Sequence, residues 1–257
     1  MATLDKALSL LGLFDHKQSE FGLSDLARAA GFGKATTLRL ARSLVASGLL
    51  EQDTHSKRYR LGAEILRLAN LREGLYPLRT IAQPVADTLC SQLGETVHVA
   101  ARSGDKLGTV LSVEPSRAVR VVVEPGLTLP WHSTASGLAL LSALPANQCK
   151  LLVATSAGAD GLGTEALDAL LSTAKASRFA VSRDRFEAGV AGIAAVFFDD
   201  RHQAVGTIAV AVSSDSLPDS QIPTLGAAVI EAADRISRQL GASPNFVTKA
   251  TKVEPAA

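Results

Sequence analysis

The sequence predicts an α+β protein in two parts, a small helical module at the N-terminus and a larger domain around a mainly antiparallel sheet. Two amphipathic segments lie close together near the N-terminus, the second beginning three residues after the first ends at Gly31. Later, β-rich runs joined by polar connections alternate with helical periods, which is typical of a sheet flanked by helices. We expect six strands, at 96–102, 107–113, 119–123, 179–182, 190–198 and 204–212.

The composition is that of a globular protein whose positive charge is concentrated near one end. Of its 257 residues, 47% are hydrophobic and 20% are charged, and the formal net charge is only +1. Residues 28–60 nevertheless hold seven Lys or Arg and two Glu or Asp, a local balance of +5. Localised positive charge of this kind indicates binding to the phosphate backbone of nucleic acid.

Composition also argues against other classes of protein. No apolar run approaches the roughly 18 residues of a membrane-spanning helix, and the N-terminus lacks the layout of a secretory signal, so we expect a cytoplasmic protein without a membrane partner. Cys90 and Cys149 stand alone, which indicates reduced thiols rather than a disulfide framework. The five histidines lack the spacing of metal ligands, so we expect no metal and no cofactor.

Three helical patterns open the chain, and the last two have helix-turn-helix spacing. The first covers residues 4–14 and supports the others, and the second covers residues 23–31. The third covers residues 34–48. Its predicted buried stripe, at the 3, 4, 7 spacing, consists of Thr37, Leu40, Ala41 and Leu44. The opposite face is basic and carries hydroxyls in its first two turns, as a recognition helix needs for base edges and phosphates.

The residues after this helix predict a hairpin, which in this position is a wing. Runs 49–52 and 58–61 flank a polar connection, and Lys57 and Arg58 would stand at its tip. We assign base edges to Thr36 and Arg39, apolar groove contact to Leu38, and phosphates to Lys34, Arg42, Lys57 and Arg58. The alternative that Arg39 and Arg42 only decorate a solvated helix stays open.

Glycine and proline positions suggest how the chain is divided. We place a winged helix-turn-helix domain at 1–62, a linker helix at 63–77 and a second domain at 78–241. Residues 242–257 contain little to bury, so we expect a disordered tail.

Collinear motifs run through both parts of the chain. They are Leu4-Asp-Lys-Ala-Leu, Leu26-Ala with Gly31, Lys34-Ala-Thr-Thr-Leu-Arg39, Gly48-Leu-Leu, Tyr59-Arg-Leu-Gly62, His132-Ser-Thr-Ala-Ser-Gly137 and Val190-Ala-Gly-Ile-Ala-Ala195. In their order and spacing, the chain up to about Gly241 resembles the IclR family of bacterial transcription regulators.

The resemblance implies a winged helix-turn-helix followed by an effector-binding domain related to GAF and profilin-like sheets. It also implies a homodimer or a dimer of dimers, a homotetramer, that binds double-stranded operator DNA and responds to a small-molecule effector. Two positions depart from the family pattern. Ala35 stands where a serine is usual, and Val196 where a proline is usual, which puts one DNA contact and the pocket floor in doubt.

A candidate effector site lies where residues 131–137 open a helix. Free N–H groups and the helix dipole favour an anion there. The polar donors are Ser133, Thr134 and Ser136, the aromatic wall is Trp131 and His132, and the strand beside them contributes Val190, Ala191, Gly192 and Ile193. The alternative is that Thr134 or Ser133 caps the helix and Trp131 fills the core.

These observations predict a transcription regulator, a repressor on the family's habits, controlled by a carboxylate or aromatic catabolite. A constitutive DNA-binding protein without effector is one alternative. A small-molecule hydrolase using Ser136 and His132 is another, but the sequence around Ser136 lacks the first glycine of a Gly-x-Ser-x-Gly elbow. We therefore expect no catalytic residues.

Overall fold

The computed structural model describes residues 2–15, 17–75, 77–156 and 163–243. Contacts between Cα atoms divide the chain into two units, Met1–Pro77 and Leu78–Ala257. Within the described ranges, no helix is both long enough and apolar enough to cross a membrane. The same ranges hold no group of three or more His, Cys, Asp or Glu that could bind a metal ion.

The N-terminal unit consists of three helices, a two-stranded hairpin and a fourth helix. Their bounds are α1 Thr3–Leu11, α2 Leu23–Ala30, α3 Lys34–Ala46, β1 Leu50–Gln52, β2 Tyr59–Leu61 and α4 Ala63–Leu75. Gly31 ends α2 in the left-handed conformation, at φ 68°, and Gly33 is the N-cap of α3. Glycine adopts that conformation without steric cost, so the two helices can follow each other across a short turn.

The hairpin is fastened to the helices through its second strand. Tyr59 is buried in a core with Leu10, Leu26 and Leu40. Its backbone also pairs with Phe21, because each N–H donates to the other residue's carbonyl. The wing is thus joined both by apolar packing and by backbone hydrogen bonds to the segment before α2.

The C-terminal unit is an antiparallel sheet covered by helices on both faces. In chain order its elements are α5 Leu78–Leu93, β3 Thr96–Ser103, β4 Lys106–Val113, α6 Ala135–Ala143, α7 Ala146–Ser156, α8 Thr164–Ser177, β5 Phe179–Arg183, β6 Val190–Phe198, β7 Ala204–Ser213 and α9 Ile222–Gln239. The strand order is β4-β3-β7-β6-β5, and every pair is antiparallel. Helices α5 and α9 pack on one face, and α6 and α8 pack on the other.

The sheet has five strands, so the prediction of a sixth at 119–123 is wrong. The side chains of Val119 and Val122 are 85% and 57% exposed. The segment 126–129 already occupies part of the outer edge of β4, where Thr109 N–H donates to the Leu127 carbonyl. A run of valines becomes a strand only when it finds a free edge, and this run instead forms one wall of a cavity described below.

The first residue of the predicted tail, Ala242, lies within the described part of the chain. Ala242 is buried, and its N–H donates to the carbonyl of Ser237 at the end of α9. The remainder of the predicted tail, residues 244–257, lies outside the described residues.

Gly62, at the end of the wing, packs closely against the backbone of Gly48, just after α3. A Cβ at this position would overlap the carbonyl oxygen of Gly48. We expect Gly62→Ala to destabilise the N-terminal unit by about 1–3 kcal/mol, because overpacking against backbone cannot be relieved by a rotamer change. The measurement is urea unfolding followed by far-UV circular dichroism, with the fluorescence of the single tryptophan, Trp131, reporting on the C-terminal unit.

Gly74→Ala is the matched control for this substitution. Gly74 lies in α4 with open space around its Cα, so alanine there meets no neighbour and gains helix propensity. A Gly62→Ala protein that unfolds at the same urea concentration as the parent would contradict the close packing.

Candidate DNA-binding surface and ligand pocket

Helix α3 separates a buried stripe from a basic face. Its buried residues are Thr37, Leu40, Ala41 and Leu44. On the other side, Lys34, Arg39 and Arg42 are exposed, while Thr36 and Leu38 are half-buried. Within the described part of the chain, none of the three cations forms a salt bridge. The structure therefore places all five residues predicted on α3 away from the core, where DNA could reach them.

The tip of the wing is a tight turn built around one carboxylate. Asp53 Oδ1 accepts hydrogen bonds from the backbone N–H groups of His55 and Ser56 and from the Ser56 hydroxyl. The bond from the Ser56 backbone, followed by the bond from its hydroxyl, lowers the pKa of the Asp53 carboxyl. Lys57 follows in the left-handed conformation, at φ 58°, with its side chain exposed at the tip.

Arg58, which was predicted at the tip, forms bonds within the module while its side chain stays partly exposed. Its Nη2 donates to the backbone carbonyl of Glu20 at 2.7 Å, and its Nε lies 3.5 Å from the Glu20 carboxylate. Both side chains are about 40% exposed. The guanidinium therefore ties the wing to the segment before α2, a role that sequence reasoning missed because the partners are 38 residues apart.

A cavity opens in the C-terminal unit between the start of α6 and the sheet. It encloses about 580 Å³ of empty space, including its open mouth. One wall is the valine run 121–123 with Leu127 and Leu129, and Phe186 and Glu187 lie on the loop between β5 and β6. Strands β3, β5, β6 and β7 contribute His98, Ser182, Val190, Gly192 and Ala211.

Five of the nine residues predicted for the effector site line this cavity. They are Ser133, Thr134, Ser136, Val190 and Gly192. Ala191 and Ile193 belong to the core on the other face, against α5 and α9. Successive residues of a strand point to opposite faces, so the alternation along β6 could have separated the two sets from the sequence.

The two aromatic residues predicted as a wall do not line the cavity. Trp131 is buried among Leu107 and Leu140, and its Nε1 donates to the carbonyl of Asp105 at 2.9 Å. His132 is half-buried outside the lining. For Trp131, the structure thus favours the alternative in which the indole fills the core.

Several hydroxyls around the cavity already donate to backbone carbonyls. Thr134 caps α6, since its Oγ1 accepts from Gly137 N–H and donates to the Pro130 carbonyl. Ser182 donates to the carbonyl of Ser133, and Thr96 donates to the carbonyl of Val121. These bonds fix the walls of the cavity in place and leave fewer side chains for a ligand.

His98 is the polar residue that sequence reasoning missed. It lies on β3, is 8% exposed and lines the cavity. Its Nε2 lies 3.4 Å from Ser136 Oγ, while Nδ1 has no hydrogen-bond partner among the described residues. Burial lowers the pKa of the imidazole to about 4, so the ring is neutral at neutral pH. The sequence does hold a signal for it, because His98 falls on the same face of the strand as Thr96 and Ala100, between two valines.

The contact between Ser136 and His98 also bears on the alternative that the protein is a hydrolase. Ser136 lies beside His98, so a serine and a histidine do meet. A general base of this kind is oriented by a third group that binds its other nitrogen. In the described structure Nδ1 has no such partner, and the geometry gives no support to nucleophilic catalysis.

The neutral state of His98 predicts a pH dependence of stability. Because the folded-state pKa lies below the ordinary value of 6.5, the unfolded chain binds a proton first as the pH falls. The free energy of unfolding should therefore fall between about pH 6.5 and about pH 4, by up to about 3 kcal/mol from this group. The measurement is urea unfolding, followed by Trp131 fluorescence, at both ends of this window.

His98→Gln isolates the contribution of the imidazole from that of other titrating groups. The variant keeps a polar side chain that has no proton to gain in this range, so its stability should fall less steeply. Equal slopes for the two proteins would show that His98 titrates normally.

Two family models together match most of the chain. The IclR helix-turn-helix domain matches residues 3–54, and the bacterial transcriptional regulator IclR C-terminal domain matches residues 75–238. Among curated proteins, the glycerol operon regulatory protein of Streptomyces griseus is 33% identical over 245 residues, which cover 93% of this chain and 96% of that protein.

Solved structures agree with the fold. A crystallised ICLR-type transcriptional regulator from Silicibacter sp. TM1040 has a TM-score of 0.81 and 32% identity, over 94% of this chain and 97% of its own. An IclR homologue from Microbacterium hydrocarbonoxydans, crystallised with 4-hydroxybenzoate, has a TM-score of 0.77 and 22% identity, over 94% and 100% of the two chains. The two family models and the 33% identical relative show that the chain belongs to the IclR family of bacterial transcriptional regulators.

Proposed function

We propose that this regulator represses transcription from a paired operator site and that a small molecule bound in the cavity of the C-terminal unit changes its affinity for DNA. The observation that carries the proposal is that one chain holds both an exposed basic recognition helix and, in a separate unit, a cavity lined by a buried polar group. Repression follows the family resemblance. The relative in Streptomyces griseus regulates a glycerol operon by name, and the Microbacterium homologue was crystallised with an aromatic acid.

DNA recognition is assigned to the exposed face of α3. In a winged helix-turn-helix, the N-terminal turns of the recognition helix enter the major groove. Thr36 and Arg39 would then meet base edges, and Leu38 would contact a thymine methyl group or another apolar edge. Lys34, Arg42 and Lys57 would neutralise phosphates. Arg58 would act indirectly by holding the wing, since its guanidinium is bound to Glu20.

We propose that a second copy of the chain completes the DNA-binding unit. The side chains of Leu66 and Leu75 on α4 are 65% and 76% exposed, and the side chains of Leu4 and Leu8 on α1 are exposed as well. Leucines exposed in this number within one unit favour burial against another protein surface. Two recognition helices are also what a pseudo-palindromic operator requires, with half-sites about one helical turn apart.

Regulation then needs only a modest coupling between the two sites. An effector that binds one arrangement of the dimer better than another shifts the spacing of the paired recognition helices. A coupling of about 1–3 kcal/mol gives a change of roughly 5- to 150-fold in operator affinity.

Arg39→Ala tests the recognition helix. We expect the variant to lose specific binding in a gel shift on DNA from upstream of its own gene, because a bidentate arginine–guanine pair is typically worth about 1–3 kcal/mol of discrimination. Arg201→Ala, which removes the same charge from the turn between β6 and β7, is the matched control and should leave the shift unchanged. If both variants bind as the parent does, Arg39 is a solvent-exposed residue of α3 that does not contact DNA, and the prediction is wrong.

Lys57→Gln and Arg58→Gln separate a phosphate contact from a structural one. For Lys57→Gln, we expect the slope of log K against log salt to fall by about 0.9, the value for one phosphate contact. Arg58→Gln should mainly lower the urea midpoint of the N-terminal unit, since it removes the bond to Glu20. A change in salt slope for Arg58→Gln as large as that for Lys57→Gln would contradict this division.

A further inference from the structure

We propose that Glu51 determines which spacing of operator half-sites the protein accepts, because its carboxylate joins the start of α4 to the wing and so fixes the direction of α4 relative to α3. The inference rests on the proposed function in taking two copies of the chain to bind a paired operator. It goes further by assigning selectivity for spacing to a positioning residue, one that acts through α4 rather than by contact with DNA.

Within the N-terminal unit, α4 is held to the other elements at its start. None of its described side chains is buried, and those of residues 66–72 are all exposed. Gly62, the residue just before the helix, is buried. The contacts that set the direction of α4 within this unit are therefore those around its first turn.

Backbone hydrogen bonds join this first turn to the end of α3. Gly48 and Leu49 lie just after α3, and their N–H groups donate to carbonyls in its last turn. The Gly48 carbonyl accepts from Glu64 N–H at 3.2 Å, and the Leu49 carbonyl accepts from Gly62 N–H at 2.9 Å. One pair of residues thus connects the recognition helix to α4.

Glu51 supplies a hydrogen bond that the residue before α4 cannot. The first N–H groups of a helix have no partner within it, and the side chain of the preceding residue commonly binds them. That residue is Gly62, where a Cβ would overlap the Gly48 carbonyl oxygen, so a capping side chain is excluded. Glu51 on β1 replaces it, because its Oε1 accepts from Ala63 N–H at 3.1 Å. A carboxylate is also favoured there by the helix dipole.

Arg60 holds this carboxylate in position. It lies opposite Glu51 in the wing, and its Nε and Nη2 each lie 3.2 Å from Glu51 Oε2. One carboxylate therefore joins both strands of the wing to α4. Both side chains are partly exposed, so the ion pair contributes little to stability, and its effect is on the direction of α4 instead.

A small change of direction at this junction has a large effect because α4 is long. Its 13 residues span about 20 Å at about 1.5 Å per residue. A rotation of about 10° at its start moves its far end by about 3.5 Å, which is roughly the rise of one base pair of DNA.

The junction therefore bears on how two copies present their recognition helices. The interface proposed above includes leucines of α1, within the module, and of α4, beyond the junction. With the junction fixed, the paired α3 helices are held at one separation, and an operator with another spacing must be distorted to bind. With a loose junction, each module turns to meet its half-site, and an altered spacing costs less affinity.

The experiment measures selectivity for spacing. A footprint of the parent protein on the DNA upstream of its own gene defines the two half-sites. Fluorescence anisotropy at one salt concentration then compares the native operator with duplexes that have one base pair removed or inserted between the half-sites. Selectivity is the Kd for an altered duplex divided by the Kd for the native one. Partial unfolding weakens binding to every duplex equally, so this ratio responds to geometry and not to loss of stability.

Glu51→Ala removes the carboxylate. We expect it to lower the selectivity ratio by about 5-fold, the factor that corresponds to the loss of one capping bond. Glu51→Gln keeps an oxygen that can accept from Ala63 N–H, so it should retain most of the ratio. Glu64→Ala is the matched control. It also removes a carboxylate near the start of α4 and releases an arginine, Arg67, but that ion pair lies within α4, so the parent's ratio should remain.

Failure of this proposal can be told from failure of the proposed function. If the parent binds no upstream DNA specifically, the proposed function is wrong and the spacing role falls with it. If the parent binds specifically but accepts all spacings equally, or if Glu51→Ala keeps the parent's ratio, the function stands and the role of Glu51 is wrong. An equal loss of selectivity in Glu64→Ala would also overturn it, because any charge removed near the start of α4 would then have the same effect.

Discussion

The sheet of the C-terminal unit is covered by helices on both faces, and most of its structure follows from that constraint. A strand buried on both sides can carry few polar side chains, since each must find a hydrogen bond away from water. Strands β3, β6 and β7 accordingly bury alanine, valine and isoleucine on both faces. His98 is one of the buried polar exceptions in the described part of the sheet, and its ring contacts Ser136 on α6. The cavity forms where the cover on that face is incomplete.

The first turn of α6, one of the helices that cover the sheet, is packed closely against the segment before it. A Cβ on Gly137 would overlap the carbonyl oxygen of Trp131, so the first turn of the helix packs directly on the backbone that leads into it. Trp131 anchors that segment through the core and through its bond to Asp105. Ser182 fixes the other side by donating to Ser133. These protein contacts therefore fix the position of the α6 amides relative to the sheet.

The DNA-binding unit reaches similar rigidity by different means. Its wing has only three residue pairs, too few to be stable as an isolated hairpin. Burial of Tyr59, the backbone pairing with Phe21 and the bond from Arg58 to Glu20 hold it to the helices. Those contacts leave Lys57 exposed at the tip while Arg58 is engaged. A regulator benefits from this arrangement, because a surface whose backbone is already ordered loses less conformational entropy when it binds DNA.

Periodicity in the sequence by itself determined which side of α3 is buried, the bounds of α4, α5 and β6, and the division into a basic helical module and a sheet domain. These features depend on neighbours in the chain, because a 3.6-residue or two-residue repeat of apolar side chains has one way to face a core. Tertiary structure alone decided that residues 119–123 would form a wall, since only the fold shows that segment 126–129 already occupies part of the edge of β4. It also decided the roles of His98 and Arg58, whose partners Ser136 and Glu20 each lie 38 residues away. A hydrogen bond between residues so far apart leaves no periodic trace in the sequence, and burial, which sets the charge of His98, exists only once the chain has folded.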